Sequence, residues 1–355
     1  FKDRQHIIPT ARRQQCFQKG KFRRDVMPKT KASQKLMDLM RQFEGRMVLP
    51  TRFTPTELKY LDQSTFDTYL NEHDINTDPH FRNLIDYQML DDYGGTSKQI
   101  SALAGIHYYT CRPYQNQYVE LFSAPEGNQY FARKILQKIP SKRILKKHLV
   151  YHIEKRGSGY LVESLNIIQN QRIQIQTDAI IYAGQKHSLK YIASEIDSPF
   201  DKNIYAPWMV VNILTRQKPD NFGYWQNEYL DSKSGFLGFI DSSIQYQGNL
   251  KGLHCLTGYY CLKPEHRSKL LTVKDHKERI VNKTLTYIHS MVKEPIHPEA
   301  AFIHVMGHAM PIPTPHYLFK TYPEMNNFKF SGVDTGRLPL LFEAIDSGIV
   351  AAKSL

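Results

Sequence analysis

The stretch "FSGVDTGRLPLLFEAIDSGIVAA", residues 330–352, holds the best-organised potential for chemistry in this chain. A short apolar strand breaks at Gly332, an acid follows at Asp334, and an Ala-rich helix closes the segment. Strand, glycine-containing turn and helix N-terminus form the local geometry that holds an anion or a polar cofactor, because the first amides of a helix point outward unpaired. His304 and His308 in "HVMGH" have the spacing of two zinc ligands on a helix. However, "AFIHVM" is strand-like and "MPIPTP" forbids a helix after it. On a strand, residues four apart share a face but lie too far apart for one compact metal site. His308 is therefore read as lining a pocket or satisfying a backbone group, and no metal is expected.

Asp91 and Asp92 in "DDYGG" pair two carboxylates that could do acid–base work; the simpler reading is a helix C-terminus stopped by glycine. Tyr108, Tyr109, Trp225, Tyr259 and Tyr260 could line a cavity for a flat or apolar substrate, although each alone suits a core. The chain contains no G-x-S-x-G nucleophile elbow, no HExxH, no Walker A loop and no GxGxxG.

The elements that must position these groups follow from periodicity. Residues 1–50 read as mainly helical, with Leu36, Leu39 and Phe43 at helical spacing in "ASQKLMDLMRQFEG". Further helices are expected in "FTPTELKYLDQ", "STFDTYLNEHDI", "DPHFRNLIDYQMLDDYGG" and "TSKQISALAGIHYYTC", the last with small residues for close packing. Beyond residue 120 the pattern changes. "PEGNQYFARKILQKI" is a glycine turn and an amphipathic helix. "KRILKKHLVYHIEKRGSGYLVESLN" reads as two strands joined at "RGSG". "DAIIYAGQ" reads as a buried parallel strand running into a ligand-facing turn. "APWMVVNILT", "GFLGFIDSS" and "LHCLTGYYCL" are strands, "SKLLTVKDHKERIVNKTLTYIHSMV" a charged helix, and "AAFIHVMGHAMPIPTPHYL" a strand entering a Pro-rich loop.

A length of 355 residues with 41% hydrophobic and 23% charged residues supports a core and accommodates two domains. No apolar run approaches the roughly 18–20 residues of a membrane span. The net charge of +13 is spread along the chain, densest in "ARRQQCFQKGKFRRD". No nucleic-acid signature with the required aromatic spacing accompanies it, so a nucleic-acid partner is not expected. Cys16, Cys111, Cys255 and Cys261 form no CxxC and suit buried thiols in a reducing compartment, hence a cytoplasmic protein. The opening "FKDRQHIIPTARR" has neither a signal-peptide core nor an initiator Met, so sequence upstream of Phe1 is expected.

Taken in order, "APEGNQYFARKI", "HLVYHIEKRGSGYLVES", "TDAIIYAG", "GHAMPIPTP" and "FSGVDTGRLPLLFEAIDSGIVAA" resemble the C-terminal two-thirds of a flavin-containing amine oxidase-like oxidoreductase. That superfamily includes protoporphyrinogen oxidases and phytoene desaturases. The resemblance covers roughly residues 30–355. It implies FAD as cofactor, with Asp334 at the sugar-alcohol or pyrophosphate side and Leu340, Leu341 and Phe342 at a helix N-terminus near the ring's N1–O2 edge. It also implies that the Val150 backbone holds the adenine, and that Ala183 and Gly184 form the turn after a cofactor-facing strand; Gly332 belongs to the same cofactor-binding set. The family's closing Glu-Gly-Ala reads Phe342-Glu343-Ala344 here, and its opening GxGxxG is absent, which the resemblance assigns to an upstream part.

The expected fold is α/β with α+β mixing, the remainder of a Rossmann-like FAD-binding domain interleaved with a substrate domain. Residues 1–120 are the helical part of the substrate domain, 121–190 part of the FAD-binding domain, 191–322 the substrate domain's mixed sheet and helix, and 323–355 the closing FAD-binding segment. The implied activity is hydride transfer from a small-molecule C–N or C–C bond, of an amine or a flat apolar compound, to flavin N5. His308, His254 and Asp92 are candidate catalytic groups, none singled out as the base. A non-catalytic scaffold of the same fold and a basic nucleic-acid binder are the rival readings.

Overall fold

The computed structural model describes residues 8–9, 14–23, 27–75, 79–111, 122–124, 127–196, 198–220, 224–230, 234–245, 252–320, 325 and 327–355. Trp225 and the candidate groups His254, His308 and Asp92 are among them.

Strands β1 (Ile8–Pro9), β2 (Gln14–Gln18) and β3 (Lys21–Arg23) open the chain. The expectation of a mainly helical opening thus gives way at residues 14–23. Lys19 and Gly20 take left-handed conformations (φ 50° and 73°) and turn β2 back onto β3. The polar pattern of β2 hides its role: buried Gln15 donates through Nε2 to Asn227 Oδ1 at 2.6 Å, so side-chain amides are satisfied across the sheet.

Helices α1 (Lys31–Arg41), α2 (Phe66–Glu72), α3 (Pro79–Tyr93) and α4 (Ala102–Thr110) follow as expected. "TELKYLDQ" forms a 3-10 rather than an α turn, at Thr56–Gln63. Thr30 caps α1 in a reciprocal box with Ser33, Thr65 caps α2 and Ser101 caps α4. The small residues of α4 matter at Gly105, where a Cβ would meet the Phe66 ring at 2.3 Å. β4 (Phe122–Ser123) pairs with β1, and α5 (Asn128–Leu136) starts after Gly127.

Strands β5 (His148–Arg156), β6 (Gly159–Asn166) and β7 (Gln171–Thr177) form an antiparallel three-stranded sheet. β8 (Ile180–Tyr182) and the short α6 (Leu189–Ile192) come next. β9 (Tyr205–Thr215), β10 (Gln226–Tyr229), β11 (Phe236–Asp241), α7 (Ser242–Gln245) and β12 (His254–Cys261) lead to α8 (Lys277–His289). The charged helix read from residue 268 onward begins only at Lys277, because Pro264–Thr272 and Lys274–His276 wind as 3-10 turns. β13 (Ala300–Pro311), β14 (Phe328–Phe330) and α9 (Leu341–Lys353) complete the chain.

The large sheet has the order β13-β9-β12-β11-β10-β2-β3. It is antiparallel except where β2 runs parallel to β10, which makes it a mixed sheet. Strand alternation divides its two faces. Ala206, Trp208, Val210, Tyr259 and Cys261 face the helical block, while Met209, Val211, Ile213, Leu256 and Tyr260 pack under α8. Gly258 lets α8 approach, since a Cβ there would lie 2.7 Å from Thr284 Cγ2. A third core joins the three-stranded sheet to β8 and β14 through Ile153, Tyr160, Leu189, Phe200 and Phe328, with Val150 packed against it. Among the described residues no helix is long and apolar enough to cross a membrane.

Candidate functional site

β8 and β14, nearly 150 residues apart in sequence, lie side by side and parallel, with Phe328, Lys329 and Phe330 opposite Ile180, Ile181 and Tyr182. Their carboxyl ends run into two turns, Ala183–Gly184 and Ser331–Asp334. Ligands of open parallel sheets bind at such ends. Gly332 is required there: its φ is +125°, and a Cβ would stand 3.0 Å from Asp334 Oδ1 and 3.1 Å from Lys186 Nζ. The Gly332 amide donates to Ser347 Oγ at 2.8 Å, which fixes the turn to α9.

Lys186 holds the two turns together. Its buried ammonium donates to Asp334 Oδ1 at 2.9 Å, Gly184 O at 2.9 Å and Ser331 O at 2.5 Å, satisfying all three of its protons. Burial lowers its pKa and the Asp334 charge opposes that shift. Asp334 Oδ2 accepts from the Lys186 amide at 2.8 Å and from the Tyr205 hydroxyl at 3.0 Å, and Asn203 Nδ2 donates to the Asp334 carbonyl at 2.7 Å. Burial and the same carboxylate push the Tyr205 phenol well up, so it stays a donor.

His187 and His308 stack beside this group, with ring centroids 3.6 Å apart and planes 13° from parallel. Both meet the Tyr205 ring edge-on, at 5.5 and 5.4 Å. Arg267 grips the strand ends, donating through Nε to Gly307 O at 2.7 Å and through Nη2 to Tyr205 O at 2.9 Å. Burial, His187, Arg267 and Lys190 hold His308 down to about 4; burial lowers His187 also, against the pull of Asp334. Both imidazoles are therefore neutral at pH 7. His187 Nδ1 is buried with no hydrogen-bond partner among the described residues, an open polar position in this cluster.

α9 presents an uncapped N-terminus. Leu340 is the N-cap and supplies no side-chain acceptor, so the amides of Leu341 and Phe342 have no capping side chain. The glutamate at the family's glycine position has a structural explanation. Glu343 is fully buried and accepts from Thr51 N at 2.7 Å, Thr51 Oγ1 at 2.5 Å and Arg337 Nη1 at 3.1 Å. Arg337 also donates to Asp346 at 2.6 Å, and Arg52 clasps Asp346 at 2.8 and 3.0 Å. The Arg52 hydrogen bond holds Asp346 below the usual carboxylate range. The Thr51–Arg52 segment is thereby bound to the side of α9.

The structure brings Ala183, Gly184, Gly332, Asp334 and His308 into one cluster, with α9 and its Leu340–Phe342 end attached through Ser347, and Val150 on the adjoining core. His254 lies elsewhere. It pairs with Thr215, at the end of β9 opposite to Tyr205, about 33 Å along the strand at 3.3 Å per residue. Asp92 is half-buried in the last turn of α3, two residues before Gly94, where a Cβ would strike Ala206 on β9. His304 is exposed, and a register shift between Met306 and Met310 breaks the regular alternation that relates it to His308. No group of three or more His, Cys, Asp or Glu side chains among the described residues could hold a metal. Lys186, His187, Tyr205 and Arg267 were not legible as site residues. The available signal was that Lys186 and His187 follow the Ala183–Gly184 turn directly.

The folded chain is that of an α/β oxidoreductase, a Rossmann-like parallel element joined to a mixed sheet, as the resemblance to the flavin-containing amine oxidase-like superfamily implies. It is similar to an Exiguobacterium protein provisionally assigned as a protoporphyrinogen oxidase, with TM-score 0.66 and 10% identity over 99% of this chain and 81% of that one. It is also similar to an oxidoreductase from Methanosarcina mazei (0.65, 10%, 98% and 82%) and to reduced UDP-galactopyranose mutase (0.60, 12%, 94% and 75%). At these identities the likeness is one of fold. No protein-family model matches the chain, and no curated protein does.

Proposed function

We propose that the protein is an FAD-dependent oxidoreductase of the amine oxidase-like kind, acting on a small amine or a flat apolar molecule. The observation that carries this reading is the convergence of two glycine turns at the parallel ends of β8 and β14 with an uncapped helix beside them. The donor set suits FAD in part. Gly184 and Gly332 leave room for close backbone approach, the α9 amides suit a developing negative charge, and His187 Nδ1 is an open polar position. Asp334 suits it less well, because three donors already occupy its oxygens. One lone-pair direction remains to it.

In this reading Val150, Ala183, Gly184, Gly332, Asp334, Leu340, Leu341 and Phe342 border the cofactor. Bound FAD supplies the hydride acceptor, N5. The chain's own work is to orient and to exclude water. Lys186 keeps the two turns in register, and Tyr205 and Asn203 anchor the Asp334 loop. His308, neutral at pH 7, offers an imidazole that accepts a hydrogen bond from substrate rather than repelling a cationic amine. Asp92 and His254 are further candidates, the latter remote from this cluster. Four free cysteines support a reducing, cytoplasmic setting. The test is to express the complete coding sequence and record the visible spectrum. Bound flavin that bleaches on addition of a turned-over amine or porphyrinogen supports the reading; a colourless folded protein that takes up no FAD refutes it.

A further inference from the structure

Among the described residues β8 and β14 form a sheet of two parallel strands. Parallel strands normally belong to larger sheets covered on both faces, and an isolated strand pair is marginal in water. β8 occupies one edge of β14. Against the other lies an open hollow of about 370 Å³ that touches Phe328, Lys329 and Phe330 alike. Successive side chains of a strand leave on opposite faces. A hollow that reaches all three therefore lies against the strand's edge, where backbone donors and acceptors are presented. It runs from Met325 and Ser354, near the start of β14, to Thr335 and Arg337 beyond its end. Its long axis thus follows the strand, and Val350 of α9 and Phe319 give it apolar walls.

The charge of the hollow is one-sided. Arg52, Arg337, Lys320 and Lys329 line it and no carboxylate does. Arg52 and Arg337 are committed to Asp346 and Glu343. Lys320 donates to the neutral Asn203 Oδ1 at 3.3 Å, and Lys329 has no ion pair among the described residues. Two cationic charges are left to meet a ligand.

We propose that this hollow is a docking groove for an extended acidic segment of another polypeptide, which adds to the free edge of β14 as a third strand and sets its carboxylates against Lys320 and Lys329. Backbone pairing would supply affinity, and the lysines and apolar walls would select the side chains. A second copy of this chain is the wrong occupant, because a symmetric edge-to-edge pair would place the two sets of lysines together. A small anion would answer the lysines and leave the strand edge unused.

The test titrates the full chain into a fluorescein-labelled decapeptide of alternating valine and glutamate, followed by anisotropy. Two control peptides carry lysine in place of glutamate, or methylated nitrogens at alternate backbone positions in both registers. Saturable binding that weakens at least about tenfold for each control is expected, together with a similar loss in a Lys320→Glu, Lys329→Glu double variant of unchanged circular dichroism. Should the double variant fail to fold, Lys329→Gln alone must weaken binding measurably. Equal binding of the methylated peptide overturns the proposal, as does no saturation up to about 1 mM. Full competition by inorganic pyrophosphate, with no discrimination between backbones, reduces the groove to an anion site and likewise overturns it.

Discussion

The Lys186 ammonium is buried from solvent and lies 2.9 Å from Asp334 Oδ1, joining two turns 148 residues apart in the chain. An enclosed pair of this kind is bound by attraction that only just repays desolvation, but the loss of one partner strands the other charge.

Lys186→Met is therefore expected to destabilise the protein by about 3–5 kcal/mol, because Asp334 stays buried without its cation. Adding Asp334→Leu should recover much of that loss. Urea unfolding of the single and double variants measures both, and a double variant as unstable as the single one would contradict this account.

His308 has a pKa of about 4, below the usual 6.5, since burial and three neighbouring basic groups disfavour its charged form. Between about pH 6.5 and 4 the unfolded chain binds a proton that the folded chain does not. Stability should therefore fall as pH drops through that window and level off below it, with His187, also lowered, adding in the same direction. His308→Phe should flatten the dependence. An NMR titration that places the His308 ring near 6.5 would remove the basis for this expectation.

Glu343→Gly restores the family's glycine and removes the acceptor that Thr51 and Arg337 share. A loss of about 1.5–3 kcal/mol is expected from the hydrogen bonds to a charged group. Glu343→Gln, which keeps an acceptor for the Thr51 amide, should cost less. Equal thermal melts for wild type and the glycine variant would argue that the network contributes nothing.

Phe342, Ile345 and Ile349 project from α9 with 70%, 36% and 49% exposure, an apolar stripe at helical spacing. Phe342→Ser with Ile349→Lys should reduce self-association, seen by light scattering, and change folding stability by no more than about 0.5 kcal/mol per site. A large drop in stability would mean that the stripe packs internally.

The elements around the site were legible because their signals are local. The strand-to-turn break at Gly332, the hairpin at "RGSG" and the helix after Leu340 each follow from a period of 2 or 3.6 residues and a glycine whose backbone few others adopt. β10 was not legible, since four polar residues carry no alternation and only pairing with β2 and β11 makes them a strand. The placement of the cluster belonged to tertiary structure alone. Lys186 reads as one of many surface lysines until β8 and β14 pair and enclose its ammonium beside Asp334. His308 reads as a strand histidine until the shifted register of β13 sets it on His187. Charge pairing and desolvation act through space and carry no sequence period. The sequence therefore determined which turns could face a ligand, and the packing of distant segments decided which side chains fill them.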